Sequence, residues 1–349
     1  MKSGRRMSGV ELLRIVAAMG VVLLHYNDGR AFSYVDDGSV NQMILFLLES
    51  LCICAVDLFV LISGYFLSVS QKRDYYKPLE LIVQFIVFRE VIYIGTSIIC
   101  NSEISIMTIL IRLLPKNYYV ILYCTLYVIS PYLNAIFEKF DNKAWIKFML
   151  VNMALFSVWP TVIDLLGEIQ GKEMIGISTI GRLGAQKGFN IVNFILLYFV
   201  GAFLNHYSLS DKYKKMKKGK YLLAGCMFFM VIIFLWALAV QGLERSGLRS
   251  AWVYHNPFVI LLAVVLFLLF KDMCFESRVI NELAKAAFTC FIFHGTLLDY
   301  MQIEKYSTGN VFIMILHIFF VVVMCYLISY MAYKIYALTV GRLWKRAID

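Results

Sequence analysis

Charge is what this chain has least of. Only 16% of its 349 residues are charged and 61% are hydrophobic, against about 25% charged and about 45–50% apolar in soluble globular domains. That shortage excludes a soluble enzyme and leaves an integral membrane protein. No hydrophilic block is long enough to fold alone. Metal and disulfide frameworks also lack support. The eight cysteines (Cys52, Cys54, Cys100, Cys124, Cys226, Cys274, Cys290, Cys325) are scattered, mostly within apolar segments, and no CxxC occurs. Cys52 and Cys54 would sit about 200° apart on a helix. The cysteines read as small buried hydrophobes, and no metal site is expected. Internal repeats and low-complexity segments are missing too.

The net charge of +10 lies largely in short loops and tails. It reads as a topology and lipid-headgroup signal rather than a nucleic-acid surface. Lys2, Arg5 and Arg6 before an apolar run imitate a signal peptide. Glu11 and Arg14 interrupt that run and no small-x-small pattern follows Leu24, so the expectation is a permanent first helix.

At about 20 residues per crossing, ten spans are expected: 8–27, 43–68, 79–100, 118–137, 144–165, 190–206, 221–240, 256–271, 286–303 and 311–334. The fold class is therefore an all-α, multi-pass protein of the cell membrane. Residues 1–340 form one transmembrane domain and 341–349 a basic tail. The run Lys212, Lys214, Lys215, Lys217, Lys218 and Lys220 sets its loop in the cytoplasm. Counting outward from it places both termini there. A glycine-rich external loop, 166–189, is a lid or a connector.

Within this frame the polar residues stand out. Arg14 and His25 are separated by ten uncharged residues. Eleven steps of about 100° bring them to nearly the same side of a helix, about 16 Å apart along its axis. A neutral imidazole can take a proton from a hydroxyl and return it to a leaving group. A guanidinium suits phosphate or carboxylate, or a local pair with Glu11. Glu49 and Asp57 lie within the second span, with Ser63-Gly64 one face-length beyond Asp57; that small pair serves helix packing or leaves a pocket open. Lys72, Arg73 and Lys77 form a solvated positive loop or meet donor phosphates. Arg89 and Glu90 inside the third span must be paired or wet. Tyr119, Tyr123 and Tyr127 share one face of the fourth span, a polar-tipped ladder suited to a sugar cleft. His294 is a second intramembrane histidine.

Together these blocks resemble the membrane-bound acyltransferase family 3. Glu11-Leu12-Leu13-Arg14 through His25 is similar to its arginine, ten residues, histidine signature. Phe59 through Ser63-Gly64 resembles its Phe-Phe-x-x-Ser-Gly block, with Val60 at the second Phe. Asn281 to His294 resembles its late block, and Pro131-Tyr132-Leu133-Asn134 and Leu197 to Ala202 are also similar. The resemblance implies ten helices and transfer of an acyl group, commonly acetyl from cytoplasmic acetyl-CoA, to a hydroxyl of a cell-surface or lipid-linked glycan. It implies His25 as catalytic histidine (acyl carrier or general base) and Arg14 as donor-positioning. Ser63 and Gly64 would shape the pocket, with Lys72 and Arg73 near the donor, although they lack the family's Arg-x-x-Arg spacing. Asp57, Tyr119, Tyr123 and His294 are the candidate acceptor contacts. Expected partners are the glycan acceptor, the bilayer and polysaccharide-assembly proteins, with no nucleic acid. Two alternatives stand beside it. One is a transporter of a small solute such as serine, because similar domains occur fused to amino-acid racemases. The other is a non-catalytic member of a polysaccharide-assembly complex.

Overall fold

A computed structural model describes residues 6–70, 73–172, 174, 176–178, 186–206, 218–241 and 250–348. All regular structure among them is helical, as lipid requires: hydrocarbon offers no partner to a backbone N–H or C=O, so each span must satisfy its own. In chain order, α1 (Ser8–Tyr26) leads through a π-turn (Asn27–Ala31) to α2 (Phe32–Tyr34). Then come α3 (Val40–Cys52), α4 (Ala55–Leu67), α5 (Tyr76–Ile99), α6 (Ile106–Arg112), α7 (Tyr118–Phe137), α8 (Asn142–Met153), α9 (Trp159–Gln170) and α10 (Ile191–His206). They are followed by α11 (Lys218–Gln241), α12 (Pro257–Lys271), α13 (Arg278–Leu283), α14 (Ala287–Leu298), α15 (Ile303–Ser307), α16 (Val311–Leu338) and α17 (Val340–Ile348).

Among the described residues, eight helical segments are long and apolar enough to cross a membrane. The protein is a multi-pass helical membrane protein. The expected sixth span is α10, of 16 residues, and the ninth is centred on α14, of 12. Both are shorter than a full crossing. The second expected span, 43–68, is two helices: the chain leaves the helix at Cys54 (ψ 2°) and starts again at Ala55. The fifth continues from α8 to α9 through a π-turn over Ala154–Val158. The basic tail is helical as α17. The lysine run over 211–217 and residues 173, 175 and 179–185 of the expected lid lie outside the described residues.

Side-chain caps start these helices where sequence placed polar residues at apolar boundaries. Asn117, Asp141, Asn256 and Asn310 each accept from an amide of the first turn of α7, α8, α12 and α16. Such caps satisfy amides that have no partner inside the helix.

α1 and the α3–α4 segment occupy the centre. Their most apolar stretches are 72% and 67% buried, against 22–28% for α5, α7, α11 and α16. The outer helices therefore turn most of their apolar surface to lipid, with Phe312, Phe319 and Phe320 of α16 exposed. α4 lies directly on α10. A Cβ at Gly64 would sit 2.3 Å from the Tyr198 carbonyl oxygen, and one at Gly201 would sit 2.2 Å from that of Leu61. Two glycines back to back let the two backbones touch, the small-residue contact that membrane helices use in place of a hydrophobic driving force.

Gly64→Ala and Gly201→Ala are expected each to cost at least about 1–3 kcal/mol through overpacking. The check is a fall in melting temperature of the detergent-solubilised protein.

Candidate functional site

Two cavities approach one another across the C-terminal turns of α1. The first, about 300 Å³, is lined by Arg6, Glu11, Arg14 and Val21 of the N-terminal segment and α1, Val56, Phe59 and Ser63 of α4, Tyr119 and Tyr123 of α7, and Lys285 and Phe291. The second, about 480 Å³, is lined by Leu24, His25, Asp28, Phe32, Glu49, Ile53, Tyr118, Lys187, Phe189, Trp252 and Tyr254. Val21 faces one and Leu24-His25 the other, so α1 separates them by about one helical turn, roughly 6 Å along its axis. The other part of the wall is the break between α3 and α4, with Ile53 on one side and Val56 on the other. Tyr118 and Tyr119 divide in the same way.

His25 is presented by α1 and exposed to the second cavity. Its Nδ1 lies 3.0 Å from the Val21 carbonyl oxygen, four residues back. A carbonyl only accepts, so Nδ1 carries the proton and Nε2 keeps its lone pair. His294 of α14 repeats this device on the Cys290 carbonyl at 3.1 Å. The two rings meet edge to face with centroids 4.6 Å apart. The structure thus unites two histidines that lie 269 positions apart in the sequence.

Arg14 lines the first cavity and also pairs with Glu11, Nη1 to Oε1 at 3.2 Å. The pair within α1 orients the guanidinium without removing it from the cavity. Ser63 donates to the Phe59 carbonyl at 2.8 Å, and its oxygen lies 3.3 Å from the Tyr123 hydroxyl. Tyr119 stacks on Tyr123 at 5.9 Å and leans on Phe291 at 4.9 Å, forming an aromatic wall. Near the opening stand Arg6, which donates to the Asn281 carbonyl at 3.1 Å, and Lys285, which holds Glu282 at 2.7 Å. Lys285, with Lys334 on the other oxygen, holds the Glu282 carboxyl below the ordinary carboxylate range.

Other expected site residues lie elsewhere. Gly64 faces α10 and belongs to helix packing. Arg73 closes the C-terminal end of α4. It donates to the carbonyls of Leu67 and Ser70 at 2.6 Å each and to Ser130 Oγ at 2.9 Å. It is a cap rather than a cavity residue: it reaches the last carbonyl of α4, which the Ser70 amide and Asn134 Nδ2 also reach, and the Ser70 carbonyl just beyond the helix. Lys72 lies outside the described residues. Asp57, in the first turn of α4, is fully buried, lines neither cavity, and among the described residues neither of its oxygens has a hydrogen-bond partner. The third-span charge is paired: Glu90 meets Arg112 of α6 at 3.3 Å, and Arg89 donates to the Leu114 carbonyl at 3.0 Å.

Sequence reasoning missed four participants. Lys285 was hidden inside the late block. Trp252 stacks with Phe32 at 5.6 Å beside the second cavity. Arg30 binds the His25 carbonyl. His255, fully buried, donates from Nε2 to Asp164 Oδ2 at 3.0 Å, adjacent to Tyr254 of the cavity. The available signal for this last pair was Asp164 itself, an acid inside an apolar span that needs a partner.

The described residues thus form a helical membrane body in which a cavity lined by Arg6, Arg14 and Lys285 and a cavity lined by His25 meet either side of one turn of α1. The family model described as an acyltransferase domain matches residues 7–334, and the chain belongs to that family, acyltransferase family 3. It is a membrane acyltransferase by that membership. No curated protein and no solved structure matches it.

Because Arg73 is used as a cap, Arg73→Ala should destabilise the protein by about 1–3 kcal/mol, whereas Lys285→Ala, at an exposed rim, should leave the melting temperature nearly unchanged. Thermal melts of the two variants in detergent check this. Equal melts would remove the distinction.

Proposed function

We propose that this protein transfers an acetyl group from acetyl-CoA, bound in the Arg14 cavity, to a hydroxyl of a glycan held in the His25 cavity. The observation that carries the reading is the single turn of α1 dividing the two cavities, with His25 on its face. The Arg14 cavity has the chemistry of a CoA donor: Arg6, Arg14 and Lys285 offer cationic donors to phosphates, and Phe59, Tyr119 and Phe291 offer an apolar lining to the arm. A pantetheine arm is about as long as five residues of extended chain, roughly 17 Å. The Arg14-to-His25 separation along α1 is about 16 Å. Phosphates near Arg14 therefore put the thioester near His25.

The His25 cavity has the chemistry of a sugar site. Trp252, Tyr118, Tyr254 and Phe189 supply flat apolar faces, and Asp28, Glu49 and Lys187 supply polar groups. In the transfer, the acceptor hydroxyl oxygen attacks the thioester carbonyl. Its proton passes to His25 Nε2, the C–O bond forms as the C–S bond breaks, and the imidazolium returns the proton to the departing thiolate. The Val21 carbonyl, held by Nδ1–H, fixes the tautomer that this requires. With the N-terminal end of α1 in the cytoplasm, as the loop charges imply, the donor enters from the cytoplasm and the acceptor from the far side, in the cell membrane. Polysaccharide-assembly proteins would supply the acceptor.

A second reading has one observation in its favour. The broken α3–α4 helix with the buried Asp57 at its restart is an arrangement used by transporters, where interrupted helices bind solutes and ions near the midplane. Uptake of labelled serine by proteoliposomes would support it.

His25→Ala should lower labelled acetyl incorporation into alkali-releasable glycan esters by about 100-fold or more, with the protein inserted normally. Undiminished incorporation would sink the catalytic role. Arg14→Ala and Lys285→Ala should each raise the KM for acetyl-CoA about tenfold, the loss of about 1.4 kcal/mol of phosphate binding. Initial rates against donor concentration measure it.

A further inference from the structure

We propose that Arg30 is a positioning residue that locks His25 against His294, a role that rests on the acyltransferase reading above. The chain leaves the α-helix just after His25: Asp28 has ψ 127° and Gly29 has φ 69°. Gly29 is the residue whose amide serves the His25 carbonyl in an unbroken helix. Arg30 Nη1 donates to that carbonyl at 2.8 Å. On the same guanidinium, Nη2 donates to the Gly295 carbonyl at 3.2 Å and to Asp299 Oδ1 at 2.6 Å. One planar fork therefore grips the backbone of His25 and the backbone of the residue after His294.

The electrostatics favour that place. α1 and α14 both end here, and helix C-termini carry partial negative charge on unsatisfied carbonyls. Two such ends brought together repel unless a cation stands between them. Arg30 supplies it, and Asp299, in turn, fixes the guanidinium. The rings anchored just before these carbonyls meet at 4.6 Å. That separation sets where His25 Nε2 points. A lysine would keep the charge but cannot span two carbonyls and a carboxylate with fixed geometry.

Removing Arg30 should lower kcat for acetyl transfer about 10- to 100-fold with little change in the KM for acetyl-CoA, the consequence of a base displaced by about 1 Å. Arg30→Lys should recover only part of the loss, and Asp299→Asn should show a smaller loss of the same kind. Arg30→Ala added to His294→Ala should cost little more than His294→Ala alone, because both break the same ring contact. A readout independent of turnover is diethyl pyrocarbonate labelling mapped by mass spectrometry. In the wild type, His25 should label and the buried His294 should resist. In Arg30→Ala, His294 should label as well. If Arg30→Ala proves unstable in detergent, Arg30→Lys and Asp299→Asn carry the same measurements. An unchanged labelling pattern with unchanged kcat, or a loss fully additive to that of His294→Ala, would overturn the role of Arg30. Should His25→Ala itself remain active, the acyltransferase mechanism fails instead, whatever Arg30 does.

Discussion

The hydrogen bond from His25 Nδ1 to the Val21 carbonyl is the contact on which the site depends. It spans one turn of α1, and that turn is the wall between the two cavities. The bond sets the tautomer, aims Nε2 away from the helix, and ties the ring to the residue that faces the other cavity. The residues that follow it support that turn. Tyr26, the next residue, is fully buried, with its hydroxyl 3.0 Å from His317 Nδ1. Asn27 donates to Glu49 at 2.8 Å. The wall is held from α3, α14 and α16 at once.

The constraint behind these links is the bilayer. In hydrocarbon a polar group without a partner costs far more than in water, so polar residues gather in the interior and find one another. The Asp164–His255 pair, the Glu168 carboxylate accepting from Ser250, and the Arg73–Ser130 contact each join segments far apart in the sequence. At Gly20, α1 lies against the α3–α4 break: a Cβ there would sit 3.2 Å from Ala55 Cβ and 3.6 Å from Cys52 Cβ. The same packing that anchors the fold positions the site.

Much of this was legible in the sequence. Apolar runs gave most of the helices, because twenty apolar residues have one stable form in lipid. Arg14 and His25 were legible because helical periodicity is a local property: their shared side follows from eleven residues of spacing. The division into two cavities was not, since it depends on the break at Cys54, which carries no glycine or proline to announce it. Nor were the pairs formed at long range: His25 with His294, His255 with Asp164, Arg30 with Asp299. Spacing along one helix says nothing about which second helix lies against it. Arg73 shows the converse. A basic residue after a helix reads as a phosphate contact or a topology signal; here its guanidinium reaches the carbonyls of Leu67 and Ser70 and the Ser130 hydroxyl.

The central claim is that acyl transfer crosses the wall formed by α1. The most direct measurement uses sealed membrane vesicles of known orientation carrying the wild-type protein and the glycan acceptor. Labelled acetyl-CoA is supplied to one face, and the face bearing the new ester is identified with a membrane-impermeant esterase. The account predicts that label enters only when donor is given at the cytoplasmic face and that the ester lies on the opposite face. Ester formed on the same face as the donor would contradict it.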